Sequence, residues 1–120
     1  DRYDVYCAVC HGKTGAGNGV IMRQDYGYTP ASSYHIDRLR TAPDGYLYDV
    51  INNGVRNMPA YGQKIPVMDR WAIVAYIRAL QRSQNASPDD LPPEQQARLG
   101  VEDGPAANAT VNATAGREAP

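Results

Sequence analysis

Phenylalanine is absent from these 120 residues, tryptophan occurs once, and cysteine and histidine occur only twice each. Each shortage excludes something. One pair of cysteines cannot build a disulfide framework. A chain so short of large apolar side chains, with a negative mean hydropathy, has room for one small core and little material to fill it. No run is apolar for long enough to span a bilayer, and no secretory signal opens the sequence. The net charge of −1 lacks the basic excess of nucleic-acid binders, so no nucleic-acid partner is expected. A small domain of this kind needs another source of stability, such as a metal or a bound apolar body.

Both cysteines sit in one window, Cys7-Ala8-Val9-Cys10-His11. This spacing reads as a covalent c-type haem attachment site. Two thiols one helical turn apart can add to the two vinyl groups on one edge of a haem. The histidine that follows is then held beneath the ring, where a ring nitrogen reaches the iron. A zinc site needs four ligands; the only other histidine is His35, and His11, next to Cys10, is poorly placed to close a tetrahedron. A thioredoxin-like pair wants a strand–helix–strand context, which the flanks Asp4-Val5-Tyr6 and Gly12-Lys13-Thr14-Gly15 do not offer. A plain disulfide leaves His11 unexplained. One covalent haem c is therefore the expected cofactor, and it would supply the missing apolar mass. Nine tyrosines offer rings with a hydroxyl for haem propionates or solvent; Tyr26, Tyr28, Tyr34, Arg23, Arg38 and Arg56 are loop residues from which propionate partners would come.

The chain changes character near Ser83. Residues 1–83 carry ten Lys/Arg against seven Asp/Glu, whereas residues 84–120 carry two against six. The expected division is a domain over 1–83 and an extended, low-complexity tail over 84–120. That tail is too rich in Ala, Pro, Asn and Thr for a core of its own and is suited to lying along partner subunits. Pro93 to Leu99, closed by Gly100, reads as a short helix. Within the domain, Asp1 to Cys10 is helix-compatible through Tyr3, Tyr6 and Val9 or Cys10. Gly12 to Thr29 reads as loop with one short turn. Gly15-Ala16-Gly17-Asn18-Gly19 lacks the context of a phosphate loop, and its glycines are expected to let backbone approach the haem edge. A second helix has Thr41 as its cap, Pro43 and Asp44 in its first turn and Gly54 at its end. Its apolar face is Leu47, Val50, Ile51 and Tyr46. A third opens at Pro66 and carries Asp69 early and Arg78 and Arg82 late. Its stripe runs through Trp71, Ile73, Val74, Ile77 and Leu80, with Tyr76 at the edge. The fold class is all-α: three main helices and loops around one haem.

The order of attachment site, glycine-rich loop, middle helix, Asn57-Met58-Pro59-Ala60-Tyr61-Gly62 loop and last helix resembles a class I c-type cytochrome over residues 1 to about 83. The resemblance implies Met58 as the sixth iron ligand, presented by a loop that Pro59 stiffens. It also implies Pro30 as the residue whose carbonyl bonds the proximal imidazole. Met22, Met68 and His35 are the rival ligands, and an open iron site is the remaining alternative. Three blocks, Arg2-Tyr3-Asp4-Val5-Tyr6-Cys7, Thr29-Pro30-Ala31-Ser32-Ser33-Tyr34-His35 and Asp69-Arg70-Trp71-Ala72-Ile73-Val74-Ala75-Tyr76, are similar to the monohaem cytochrome c subunits of bacterial alternative complex III and to cytochrome domains of other respiratory complexes.

What this resemblance implies is an electron carrier, not an enzyme in its own right. It would work within a quinol-oxidising complex and pass electrons to an oxygen reductase or a soluble redox protein. Its place would be the periplasmic side of a bacterial cytoplasmic membrane, held there by the complex or by an upstream lipid anchor. A five-coordinate haem enzyme or gas sensor, a soluble or oxidase-fused cytochrome domain, and a structural subunit are the competing expectations.

Overall fold

Tyr3, Tyr6 and Cys10 recur at helical spacing, and the segment coils as that spacing dictates. In the computed structural model, which describes residues 2–23 and 26–100, helices α1 (Arg2–Tyr6) and α2 (Ala8–His11) run on through Cys7. Cys7 N donates to Tyr3 O at 2.8 Å and His11 N donates to Cys7 O at 2.9 Å, so the two pieces form one rod. Gly12, at φ 77°, ends it. The glycine-rich stretch is loop, broken by a 3-10 turn at Val20–Met22.

A short helix, α3 (Asp37–Arg40), follows, and no sequence signal announces it. It corrects the role given to Thr41. The Thr41 hydroxyl donates to Asp37 O at 2.8 Å, closing α3, and the residue that precedes α4 (Asp44–Asn53) is Pro43, with no side-chain cap. Gly54, at φ 74°, terminates α4 as its position predicts. Leu47 and Ile51 are its buried positions; Tyr46 is exposed. Among the described residues there are no strands, only the bridge pair Val55 and Met58. Helix α5 (Val67–Gln84) begins after Pro66.

The row that α5 buries is Arg70, Ile73, Val74, Ile77 and Gln81. Trp71 is turned out of it, 42% exposed, with its ring stacked on Tyr48 at 4.3 Å. Two polar residues take core positions and reach partners on remote segments, although Arg70 Nε itself is buried without a partner. The amide of Gln81 donates to Tyr34 O at 2.8 Å and to Leu39 O at 3.2 Å, and its oxygen accepts from Arg78 at 2.9 Å. Arg70 donates to Asn52 Oδ1 and lies over the Tyr48 ring, 5.0 Å from its centre. Arg78 pairs with Asp44 at 2.7 Å and donates to the carbonyls of Leu39, Arg40 and Ala42. It thereby binds α3 and the link to α4 onto α5.

Tyr3, Tyr34, Leu39, Leu47, Ile51, Ile65, Ile73, Val74 and Ile77 form the core. Each buried aliphatic in it is worth about 1.5–3 kcal/mol. Helix α5 is the centre of the packing, with α1 and α4 both against it and Arg2 reaching Asp69 at 2.8 Å.

The chain divides into two compact units between Ala86 and Ser87. The second holds a 3-10 turn at Pro88–Asp90 inside a capping box made by Ser87 and Asp90. Helix α6 (Pro93–Arg98) follows, and Gln96 donates to Leu91 O at 2.7 Å. The tail beyond Gly100, for which partner contact is expected, lies outside the described residues.

Candidate functional site

The turn that carries Cys7, Cys10 and His11 is a helical one, with Cys10 N on Cys7 O at 3.2 Å beside the His11 bond given above. The carbonyls at its end are orphans of the helix terminus, and the glycine-rich loop satisfies them. Gly17 N donates to His11 O and Gly19 N to Cys10 O, both at 2.9 Å. A Cβ on Gly19 would stand 2.2 Å from Val9 O, which is why no larger residue fits. The backbone of the loop thus closes on the attachment helix.

Burial fixes the protonation of the motif. Desolvation lowers His11 to about 4, so its imidazole is neutral at pH 7. Desolvation, with a smaller contribution from Cys10, raises Cys7 to about 11, and burial raises Cys10 as well. Both groups are thiols at pH 7. His11 Nδ1 is buried without a hydrogen-bond partner. The face of the His11 ring is covered by Tyr34, whose ring stacks on it at 4.8 Å and 19°. Tyr34 is buried. Its hydroxyl bonds that of Tyr3, which in turn donates to Gly12 O at 2.8 Å.

Met58 is half-buried and sits at the end of a tight turn. Val55 N donates to Met58 O at 3.1 Å and Met58 N to Val55 O at 2.8 Å. Inside the turn Arg56 has φ 49°, the one positive value among described residues other than glycine. The loop is sewn to the end of α4, where Tyr61 N donates to Ile51 O at 2.9 Å and Gly62 N to Asn52 O at 3.1 Å. Tyr61 carries it to the attachment turn. Its ring meets the edge of Tyr6 at 6.2 Å, and burial, then Cys10 and Cys7, raises its hydroxyl. Asn57 donates to Thr29 Oγ1 at 3.1 Å, joining the Met58 loop to the segment before Pro30.

Pro30 itself is exposed, and its carbonyl does not receive His11 Nδ1. The rival ligands are differently placed. His35 Nε2 lies 2.7 Å from Thr14 O, with Nδ1 3.5 Å from the Asn85 amide; both ring nitrogens are engaged. Met68 is 75% exposed on α5, and Met22 ends the 3-10 turn.

Among the described residues no three His, Cys, Asp or Glu side chains converge on a metal ion. Two neutral thiols one turn apart, a neutral buried imidazole with an orphaned nitrogen, and a thioether on a braced loop are a donor set that fits haem c.

An all-α body with this motif on its first helical rod and a methionine loop before α5 is that of a c-type cytochrome. A family model bears this out: the one described as cytochrome C oxidase, cbb3-type, subunit III matches residues 1–77, and the chain belongs to that family. The domain is a haem-binding one with an electron-transfer role. Domains of the family are typically extracytoplasmic, and among the described residues no helix is long and apolar enough to cross a membrane. No curated protein matches the chain.

Proposed function

We propose that the chain is a monohaem electron carrier within a respiratory complex on the periplasmic side of a bacterial cytoplasmic membrane. The observation that carries this reading is the single helical turn on which two protonated thiols precede a neutral, buried imidazole. Cys7 and Cys10 would hold one haem through thioether bonds, and His11 and Met58 are the residues that would ligate its iron. The bound group supplies reversible one-electron exchange at iron. The residues of the chain supply its setting. Val55 and Gly54 hold the turn that presents Met58, and Pro59 stiffens it. With His11 and Met58 both on the iron, no open site would remain for a substrate, which would separate a carrier from an enzyme or gas sensor.

The family's oxidase context supports a respiratory partner. The three sequence blocks support the finer assignment, a quinol-oxidising complex of the alternative complex III kind that passes electrons to an oxygen reductase or soluble redox protein. The test is the visible spectrum of the purified holoprotein, oxidised and reduced, with and without carbon monoxide. Low-spin bands, a weak sulfur-to-iron band and indifference to carbon monoxide are expected. Met58→Ala retains the haem, loses the sulfur band and binds carbon monoxide. A high-spin wild-type spectrum, or an unchanged spectrum in Met58→Ala, overturns the ligand assignment.

A further inference from the structure

An axial imidazole can turn about its bond to iron, and in cytochromes the plane it adopts directs the unpaired spin on the ring. Something must hold that plane. A hydrogen bond from the second ring nitrogen is the usual device, yet His11 Nδ1 has no partner. What the structure places against the ring is Tyr34, nearly parallel to it at 4.8 Å.

Tyr34 is itself held at four points. Its amide donates to Gly15 O at 2.8 Å, and its carbonyl accepts from Gln81 at 2.8 Å. Its hydroxyl bonds Tyr3, and its ring lies so close to Gly15 that a Cβ there would stand 2.4 Å from Cδ2. The Tyr3 ring meets Tyr34 edge-on at 6.5 Å, and Tyr76 lies 4.9 Å from Tyr3 on centres. A side chain merely filling space does not need this many restraints. A plate against which another ring is set does.

We infer that Tyr34 is a positioning residue that fixes the plane of the His11 imidazole by stacking on it. The inference rests on the reading that His11 ligates the iron of an attached haem. Tyr34 takes no electron and touches no substrate; it acts through His11.

The experiment compares the holoprotein with Tyr34→Phe and Tyr34→Leu. Haem content, visible spectra and the proton NMR shifts of the four haem methyl groups in the oxidised form are measured. Tyr34→Phe keeps the ring and is expected to retain the wild-type methyl pattern. Tyr34→Leu removes it and is expected to change the order or spread of the methyl resonances while haem content and low-spin bands persist. A wild-type methyl pattern in Tyr34→Leu overturns the inference, because a purely structural role lowers stability without turning the imidazole. Should Tyr34→Leu fail to accumulate, the reduced wild-type protein answers the same question. Cross-relaxation between Tyr34 and His11 ring protons supports the stack, and its absence overturns it. Loss of the underlying functional reading is distinguishable, since the unsubstituted protein would then lack a low-spin, histidine-ligated haem.

Discussion

Gly15→Ala tests the packing around the attachment turn most directly. Gly15 has φ 78°, where an L side chain costs about 1–2 kcal/mol. The new methyl also meets the Tyr34 ring at 2.4 Å, and overpacking of this kind adds about 1–3 kcal/mol. Gly27 provides the control. Its φ is 75°, yet nothing lies within 4 Å of the position its new methyl would take, so Gly27→Ala carries the conformational cost alone. The two variants should therefore differ by about 1–3 kcal/mol. In a domain of this size that is a gap of at least about 4 °C in Tm. Thermal and urea unfolding of the holoproteins, followed by circular dichroism, read it directly. Equal losses in the two variants would refute the steric argument and, with it, the picture of Tyr34 as a tightly held plate. If Tyr34 instead yields to the methyl, Gly15→Ala should reproduce part of the methyl-shift change expected of Tyr34→Leu.

Three further outcomes follow from the packing. Ile73→Ala, at a site 2% exposed, should cost about 2–5 kcal/mol, whereas Ile36→Ala, 41% exposed, should stay within about 0.5 kcal/mol; urea midpoints at constant slope compare them. Arg2→Ala breaks an ion pair whose partners are 58% and 32% exposed, and should cost less than about 1 kcal/mol, a loss that vanishes in high salt. Burial raises Tyr3 from 10.0 to about 12, so its contribution is intact below pH 10 and is lost as pH rises from 10 towards 12, by at most about 2–3 kcal/mol. Unfolding free energies measured across that window should fall more steeply in the wild type than in Tyr3→Phe.

Local chemistry was legible in the sequence, and long-range satisfaction was not. The attachment motif, the end of α4 at Gly54, the start of α5 at Pro66 and the short α6 all follow from signals within a few residues. Helix α3 has only four residues and no such signal. It is held by Arg78 and Gln81 on a helix far along the chain, and Thr41 therefore serves its end instead of capping α4. The same blindness rotated the stripe on α5. A hydrophobicity pattern puts Trp71 inside and Arg70 and Gln81 outside, but both polar heads find acceptors across the core, while Trp71 needs only Tyr48 beside it. Tyr34 escaped for the same reason, since its partners Gly15, Gln81, Tyr3 and His11 are distant in sequence. The Met58 loop was placed by resemblance. Its bracing through Tyr61, Gly62 and Asn57 becomes visible only in three dimensions.

The burial of Tyr3 ties the attachment turn to the rest of the fold. Tyr3 lies one turn before Cys7, is wholly inaccessible and is wedged between Tyr34 and Tyr76. Cys7 is only half-buried, yet it packs against the same core. The docking of α1 on α5 and the setting of the two thiols are therefore one event, and whatever loosens Tyr3 loosens the turn that carries them.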